Sequence, residues 1–482
     1  MFRIRLNYAI VLVISCAALS SCGGRGSTGG GTTPPGTAPV VLTMTDTPPT
    51  NVSILSAEVT LTGATLNPGS VSVFSGSTTL ELTRLQTDIA YLSTTLVPPG
   101  NYTGITLTFS NPTLTFENDT TSPIVTGVGS PTPTCAIGAI CTIQSVATNL
   151  STTITLSPTM TVSATSGAGL LVDVSLNNLL SASLGADFKN GVTVSQFTPA
   201  GAGAPPVGAE DVVGSVTSTD ATHSKFSLQN AVGTVSLIVD NTTTFLNFPT
   251  GTCTTASIAC VQTNQILSVD ISIRADGTPV ARNVLFEDAV STDIEVEGVI
   301  TSTGSLTFKM VTLAESTGIQ SLPIGSLATV TFTGLTPSDV DFTHADSAQI
   351  STTGFLFSVN VPADLIVGQE VQVRRNPTGS SNASIVADRV LLPSSRVSAT
   401  FQSGTTSLFN LGNLPSLFTA HAIPLIQVQT SSGSVSAICT GTGIGFGSSC
   451  SSLTATHNES VRGPLFANAG TPIIIASKVV QH

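Results

Sequence analysis

Residues able to do chemistry are few in this chain and widely separated. The five histidines, His223, His344, His421, His457 and His482, form neither H-x-x-H nor H-E-x-x-H, so no helical face offers a zinc site. His482 closes the sequence and is expected to fray. No G-x-S-x-G elbow and no Walker-type loop occurs, and only four lysines are present. The run Gly441-Thr442-Gly443-Ile444-Gly445-Phe446-Gly447 misses the G-x-G-x-x-G spacing and has no helix after it, so it reads as a flexible lobe rather than a phosphate cradle. Carboxylates cluster from Glu287 to Glu297, with Asp339 and Asp341 at alternate positions further on; such oxygens suit calcium. No EF-hand loop is present, however, and alternation puts Asp293, Glu295 and Glu297 on one strand face, expected to be solvated. Sugar sites lean on aromatic platforms, but the chain lacks tryptophan and has only Tyr91 and Tyr102 beyond its first residues. The expectation is no catalytic residue, no metal and no cofactor.

Cysteines give a firmer pattern. Cys135 with Cys141, Cys253 with Cys260, and Cys439 with Cys450 are three local pairs at spacings unlike C-x-x-C. They are read as disulfide staples that need an oxidising compartment. Cys22 stands apart, between the apolar run Ala9–Leu19 and a stretch rich in Gly, Ser, Thr and Pro. Arg3 and Arg5 precede the run, which is too short to span a bilayer as a helix. Leu19-Ser20-Ser21-Cys22 resembles the lipobox of bacterial lipoprotein signal peptides. That resemblance implies cleavage before Cys22 and acylation of its thiol and amine, with Gly23, rather than Asp, favouring the outer membrane. Val13-Ile14-Ser15-Cys16 is a competing match with a shorter apolar core, and an ordinary secretory signal is the plain alternative. Several acyl chains anchor durably where one does not, so a membrane is the expected partner.

Composition excludes another class. Charged residues make up 9% of the chain and hydrophobic ones 40%. Loss of Arg3 and Arg5 with the leader leaves 13 basic and 27 acidic residues, a net charge of −14. Nucleic-acid binding needs the opposite sign and is not expected.

The elements that must carry these residues are strands. Val40 to Phe197 runs in short alternations of Thr and Val, broken at Pro48-Pro49, Pro68-Gly69 and Pro98-Pro99-Gly100. Arg84–Leu92 and Leu176–Lys189 are the two stretches compatible with helix. Leu42-Thr43-Met44-Thr45-Asp46-Thr47-Pro48, Ala57-Glu58-Val59-Thr60-Leu61 and Val97-Pro98-Pro99-Gly100-Asn101-Tyr102 resemble the successive motifs of the family called domain of unknown function 4382. The resemblance implies an exported β-sandwich and assigns no activity; Tyr102 in that motif is expected to be a corner residue. The insert carrying Cys135 and Cys141 departs from the family's pattern. After the linker 198–209, three units open alike, at Val213-Gly214-Ser215-Val216-Thr217-Ser218, Glu297-Gly298-Val299-Ile300-Thr301-Ser302 and Val397-Ser398-Ala399-Thr400-Phe401-Gln402-Ser403. A strand follows each, near Phe226, Phe308 or Phe409. They close alike too, at Val280–Val284, Val386–Val390 and Ile475–Val479, and Asp276-Gly277 reads as a hairpin turn. A period of roughly 80 to 100 residues is too long for a solenoid, so each unit is read as a small closed barrel. The first two also resemble the family called domain of unknown function 5666.

The expected architecture is therefore all-β, an N-terminal sandwich followed by two or three small barrel-like repeats. Its segments are signal peptide 1–21, tether 22–39, sandwich 40–197, linker 198–209, and repeats 210–290, 291–395 and 396–482. The expected role is a lipid-anchored cell-envelope protein for adhesion or scaffolding, partnered by membrane and by another envelope protein or a glycan. The alternative is an extracellular glycan- or peptide-binding module on the same stalk.

Overall fold

Strand-forming alternation is realised along most of the described residues. The computed structural model describes residues 36–482 apart from 50–52, 111, 127–133, 165–166, 182, 199–207, 231–232, 250–252, 254, 275, 289–294, 316–321, 333–339, 342–364, 376–383, 433–434, 442–443 and 449. The chain is all-β. Its first part packs two sheets face to face. One orders the strands Val192–Phe197, Ala168–Val174, Ala38–Thr45 and Ala90–Val97, and the other orders Ser151–Val162, Gly100–Phe109, Ser53–Asn67, Thr113–Glu117 and Ile140–Gln144. Val71–Glu81 joins the second sheet against Ser53–Asn67. Inward residues such as Leu42, Met44, Leu61, Leu107 and Phe116 fill the space between them, all fully buried. Tyr102 is the corner residue expected of it, its hydroxyl donating to Pro98 O at 2.8 Å. Asp46 is buried at the end of the first strand and accepts the Leu176 N–H at 3.1 Å.

Three successive segments then repeat one pairing scheme. In the first, strands Gly208–Asp220, Lys225–Gln229 and Thr234–Ile238 form a meander, and Gly208–Asp220 also pairs with Ile266–Ile273. Pro279–Asp288 lies beside Ile266–Ile273 and meets Thr234–Ile238 in parallel, Ile238 opposite Val280, which closes a five-stranded barrel. The second closes through Val330 opposite Ile385. In the third the closing strand is split into Ile473–Ile475, opposite Ile426–Gln429, and Lys478–Gln481, beside Asn458–Gly463. Each opening strand carries a bulge at the same place, between Val216 and Ser218, Ile300 and Ser302, and Phe401 and Ser403. Such a bulge sharpens the local twist that a small barrel requires. Phe226, Phe308 and Phe409 fill the interiors.

All three local cysteine pairs are bonded as their spacing suggests. Cys135 is joined to Cys141, Cys253 to Cys260, and Cys439 to Cys450. The first staple ties the short strand Thr134–Cys135 to the sandwich strand Ile140–Gln144. Cys260 ends the 3-10 turn Ile258–Cys260, and with Cys253 it packs into the first barrel's core. Cys450 opens the 3-10 turn Cys450–Ser452, and with Cys439 it belongs to the core of the third.

Some expected details differ. Arg84–Leu92 is not helical: a short 3-10 turn, Leu82–Gln86, gives way to the strand Ala90–Val97, because Thr45 Oγ1 and Asp46 N–H both donate to Leu85 O and hold the chain beside the first strand. Among its described residues, Leu176–Lys189 has one four-residue helical turn at its start, Leu176–Leu179, and the beginning of another, Phe188–Gly191, at its end. The glycine-rich stretch is a hairpin, Ile438–Gly441 against Ile444–Ser448, since the bond from Cys439 to Cys450 ties its two ends. Asp276-Gly277 sits in the turn between paired strands, with Gly277 at φ +79°.

Two residues before each bulge the openings carry Gly214, Gly298 and Ala399. A Cβ on Gly298 would stand 2.4 Å from Val311 O, and one on Gly214 2.4 Å from Gln229 O, whereas the third barrel accommodates Ala399. Gly298→Ala is expected to destabilise the protein by about 1–3 kcal/mol in denaturant unfolding. Ala399→Gly, which only loosens the backbone, is expected to cost about 0.5–1 kcal/mol.

Candidate functional site

The site is a buried array of charges where the sandwich and the three barrels meet. It starts from the third barrel. Its strands Ser395–Thr405, Asn458–Gly463 and Lys478–Gln481 lie side by side in a register that sets Arg396 opposite Arg462 and Arg462 opposite Lys478. Three cations thus stand in one row across three neighbouring strands, and like charges directly opposite repel. The row is covered: side-chain exposure is 10% for Arg396, 4% for Arg462 and 7% for Lys478. Cations out of water need partners.

The other units supply them. Glu81 caps the 3-10 turn Leu82–Gln86, accepting the Arg84 N–H at 3.2 Å, and this turn presents Arg84 and Asp88 from the sandwich. Asp88 Oδ2 accepts from Arg396 Nη2 at 2.5 Å and Nε at 3.1 Å, while Oδ1 accepts from Arg462 Nη1 at 2.7 Å. Burial alone would raise the Asp88 pKa; Arg396, Arg462 and Lys478 outweigh it and hold the carboxyl well below the usual range. Glu370 of the second barrel takes the remaining face of Arg396, Nη1 to Oε2 at 2.8 Å. Glu210, at the start of the first barrel, pairs with Lys478, and Glu297 of the second pairs with Arg84. Apolar contacts accompany the charges: Val41 of the sandwich packs into the first barrel's core, and Leu55, Val311 and Val367 into the third's.

A neutral relay runs beside the ions. Ser398 Oγ donates to Gln86 Oε1 at 2.8 Å, Ser398 and Ser460 hydroxyls are 2.7 Å apart, and Ser460 Oγ is 2.8 Å from His482 Nε2. Because Ser398 gives its proton to Gln86, Ser460 donates to Ser398 and His482 Nε2–H donates to Ser460. Burial pushes His482 down to about 4, so the ring is neutral and already a donor toward that serine, not a base able to activate it. A cavity of about 100 Å3 lies alongside, walled by Pro48, Leu55, Leu313, Leu417 and Phe418 with Ser398 and Arg396. Gly368 lets the Phe418 ring approach; a Cβ there would stand 2.2 Å from it. The arrangement holds surfaces together, with each charge engaged by another.

No protein-family model matches the chain, and no curated protein does either.

Two sequence expectations are corrected here. Glu297 is not simply solvated: Arg84 holds it against the sandwich, because the face turned outward from the barrel is there turned inward to a neighbour, while Glu295 on the same strand accepts from Gln372 Nε2 of the adjacent strand at 2.5 Å. His482 is not frayed, for Ser460 and the paired strand Lys478–Gln481 hold it. The six staple cysteines, Cys135, Cys141, Cys253, Cys260, Cys439 and Cys450, take no part in the array; each is spent on its disulfide, which leaves no thiol among them for catalysis or metal binding. Cys16, Cys22, Asp293, Asp339 and His344 lie outside the described residues, and Asp341 is on the short strand Val340–Asp341. His223 pairs on the surface with Asp220 at 2.7 Å. Among the described residues no three His, Cys, Asp or Glu side chains are placed to hold a metal ion, and no helix is long and apolar enough to cross a membrane.

Sequence reasoning missed Asp88, Arg396, Arg462, Lys478, Glu370 and Glu210. A signal existed: with charge on only 9% of residues, Arg396 interrupts an otherwise uncharged strand, and Arg462 stands between Val461 and Gly463 on a strand whose other ionisable residue is Glu459. Asp88→Asn keeps the shape but removes the carboxylate that two buried guanidiniums share, leaving Glu370 to answer Arg396. It is expected to lower stability by about 3–5 kcal/mol, read as a shift of the denaturant midpoint at pH 7.

Proposed function

We propose that this chain is a lipid-anchored protein of the bacterial cell envelope, held at the outer membrane, with a structural role in adhesion, scaffolding or assembly. The observation that carries the reading is the buried charge array, which draws counter-ions for one row of cations from the sandwich and the first two barrels. A string of separate domains has no use for such an array, whereas a stiff body that must keep its surfaces in fixed relation does. Cys22 and the Gly, Ser, Thr and Pro run after it are the matching soft part: an acylated attachment point and a flexible spacer. Net negative charge of the mature chain speaks against nucleic acid as a partner. Cys22→Ala is expected to move the protein from the membrane fraction of its host to the soluble fraction, with unchanged disulfides; retention in the membrane would end the lipid-anchor reading.

A second reading, a module that binds an extracellular glycan or peptide, is favoured by the outer face of the larger sandwich sheet. Side chains there are tied to one another, the Thr60 and Thr79 hydroxyls at 2.8 Å, those of Thr106 and Thr153 at 2.8 Å, and Thr161 Oγ1 donating to Asn101 Oδ1 at 3.0 Å, which fixes their rotamers before any partner arrives. Saturable binding on a glycan or peptide array, lost in Thr106→Val/Thr153→Val, is the outcome that would put this reading first.

A further inference from the structure

We infer that the contact between the sandwich and the helical turn Ser416–Thr419 of the third barrel is a proton-operated latch, in which Glu117, facing Asp119, takes up one proton as the turn docks. Three oxygens at this contact are shut away from water without a partner: Glu117 Oε2, Asp119 Oδ1 and Ser416 Oγ. Glu117 ends the strand Thr113–Glu117 and is 7% exposed. Asp119 uses its other oxygen to accept from Ser53 Oγ at 3.0 Å. Ser416 Oγ lies near enough to the Glu117 carboxyl to favour its charged form, without making a hydrogen bond of ordinary geometry. Two neighbouring carboxylates, each with a dry and unsatisfied oxygen, are costly while both are charged. A single proton from solvent converts Glu117 from carboxylate to carboxylic acid, removes the repulsion, and adds a carboxyl O–H donor on Glu117 itself.

The charged groups facing Glu117 are Asp119 and His421. His421 Nδ1 donates to Leu417 O at 2.9 Å, so the ring belongs to the turn itself. Burial raises the Glu117 pKa first and Asp119 adds to it, while Ser416 and His421 pull the other way without cancelling them. The sign follows. A carboxyl raised on docking stabilises the docked form fully below its ordinary value, and that stabilisation is lost as pH rises through the raised one. The turn's opposite side walls the junction cavity with Leu417 and Phe418, so releasing it opens that cavity.

Hydrogen–deuterium exchange of the full chain between pH 5 and pH 8, corrected for intrinsic exchange, tests this. A peptide within 397–403 serves as reference for titration of Glu459, which burial pushes up to about 7 within the same barrel. Protection of the peptide spanning 415–421 is expected to fall relative to that reference as pH rises, by up to about tenfold per pH unit. Glu117→Gln should abolish the slope, Asp119→Asn should move it to lower pH, and His421→Gln should preserve it, displaced toward higher pH. An unchanged slope in Glu117→Gln, its loss in His421→Gln, or a flat wild-type profile each overturns the latch. If Glu117→Gln fails to fold, the direction of the Asp119→Asn shift decides alone.

Discussion

Everything in the arrangement of this molecule depends on Asp88 standing between Arg396 and Arg462. Two guanidiniums opposite each other on paired strands, with Lys478 next in the row, form a repulsive surface that water would normally screen. Here water is excluded, and the repulsion is answered by carboxylates from three other parts of the chain. Apolar contact at Val41 and Leu55 is non-directional and tolerates sliding. The bidentate grip on Asp88 does not, because displacement by the width of one side chain would leave a buried cation unpaired. Buried ion pairs are poor sources of net stability. Their contribution here is orientation, and the surrounding apolar packing supplies the driving force.

This division explains which parts were legible in the sequence. Alternation of Thr and Val marked the strands, and the shared openings around Val216, Ile300 and Phe401 fell on the bulges that let short strands close into barrels. The bonds from Cys135 to Cys141, Cys253 to Cys260 and Cys439 to Cys450 were readable because each pair is close in sequence, and so was the corner formed by Tyr102 and Pro98. Long-range partnership left no such trace. Period-two patterning tells which side of a strand faces its own core, and assigns the other side to water by default. Glu297 and Arg396 both lie on such outer sides, and there the default fails because a neighbouring unit covers them. Arg84–Leu92 failed as a helix for a related reason: the contacts that shape it, from Thr45 and Asp46 to Leu85, come from a strand some forty residues away.

Gly36–His482 form one compact unit. With so few charges in the chain, outer strand faces can present hydroxyls in place of ions. The Thr60, Thr106 and Thr153 face is the clearest of these. Its hydroxyls are already engaged with one another, so a partner there would meet a surface whose conformational freedom is already lost.

The order of the units along the chain sharpens the point about closure. Arg396, Arg462 and Lys478 belong to the last barrel, and their counter-charges Asp88, Glu210 and Glu370 all precede that barrel in sequence. Hydrogen bonds that join residues 308 and 374 positions apart therefore close the assembly end to end. Each barrel has its own interior, filled by Phe226, Phe308 or Phe409, so barrel closure rests on local pairing while docking rests on distant charge. The two are separable in energy: a change at Gly298 strikes the barrel, and a change at Asp88 strikes the docking. In a string of independent domains the second class of change would have nothing to act on. The cavity beside Leu417 and Phe418 follows from the same geometry, since rigid barrels positioned by directional ion pairs cannot relax to fill every gap between them.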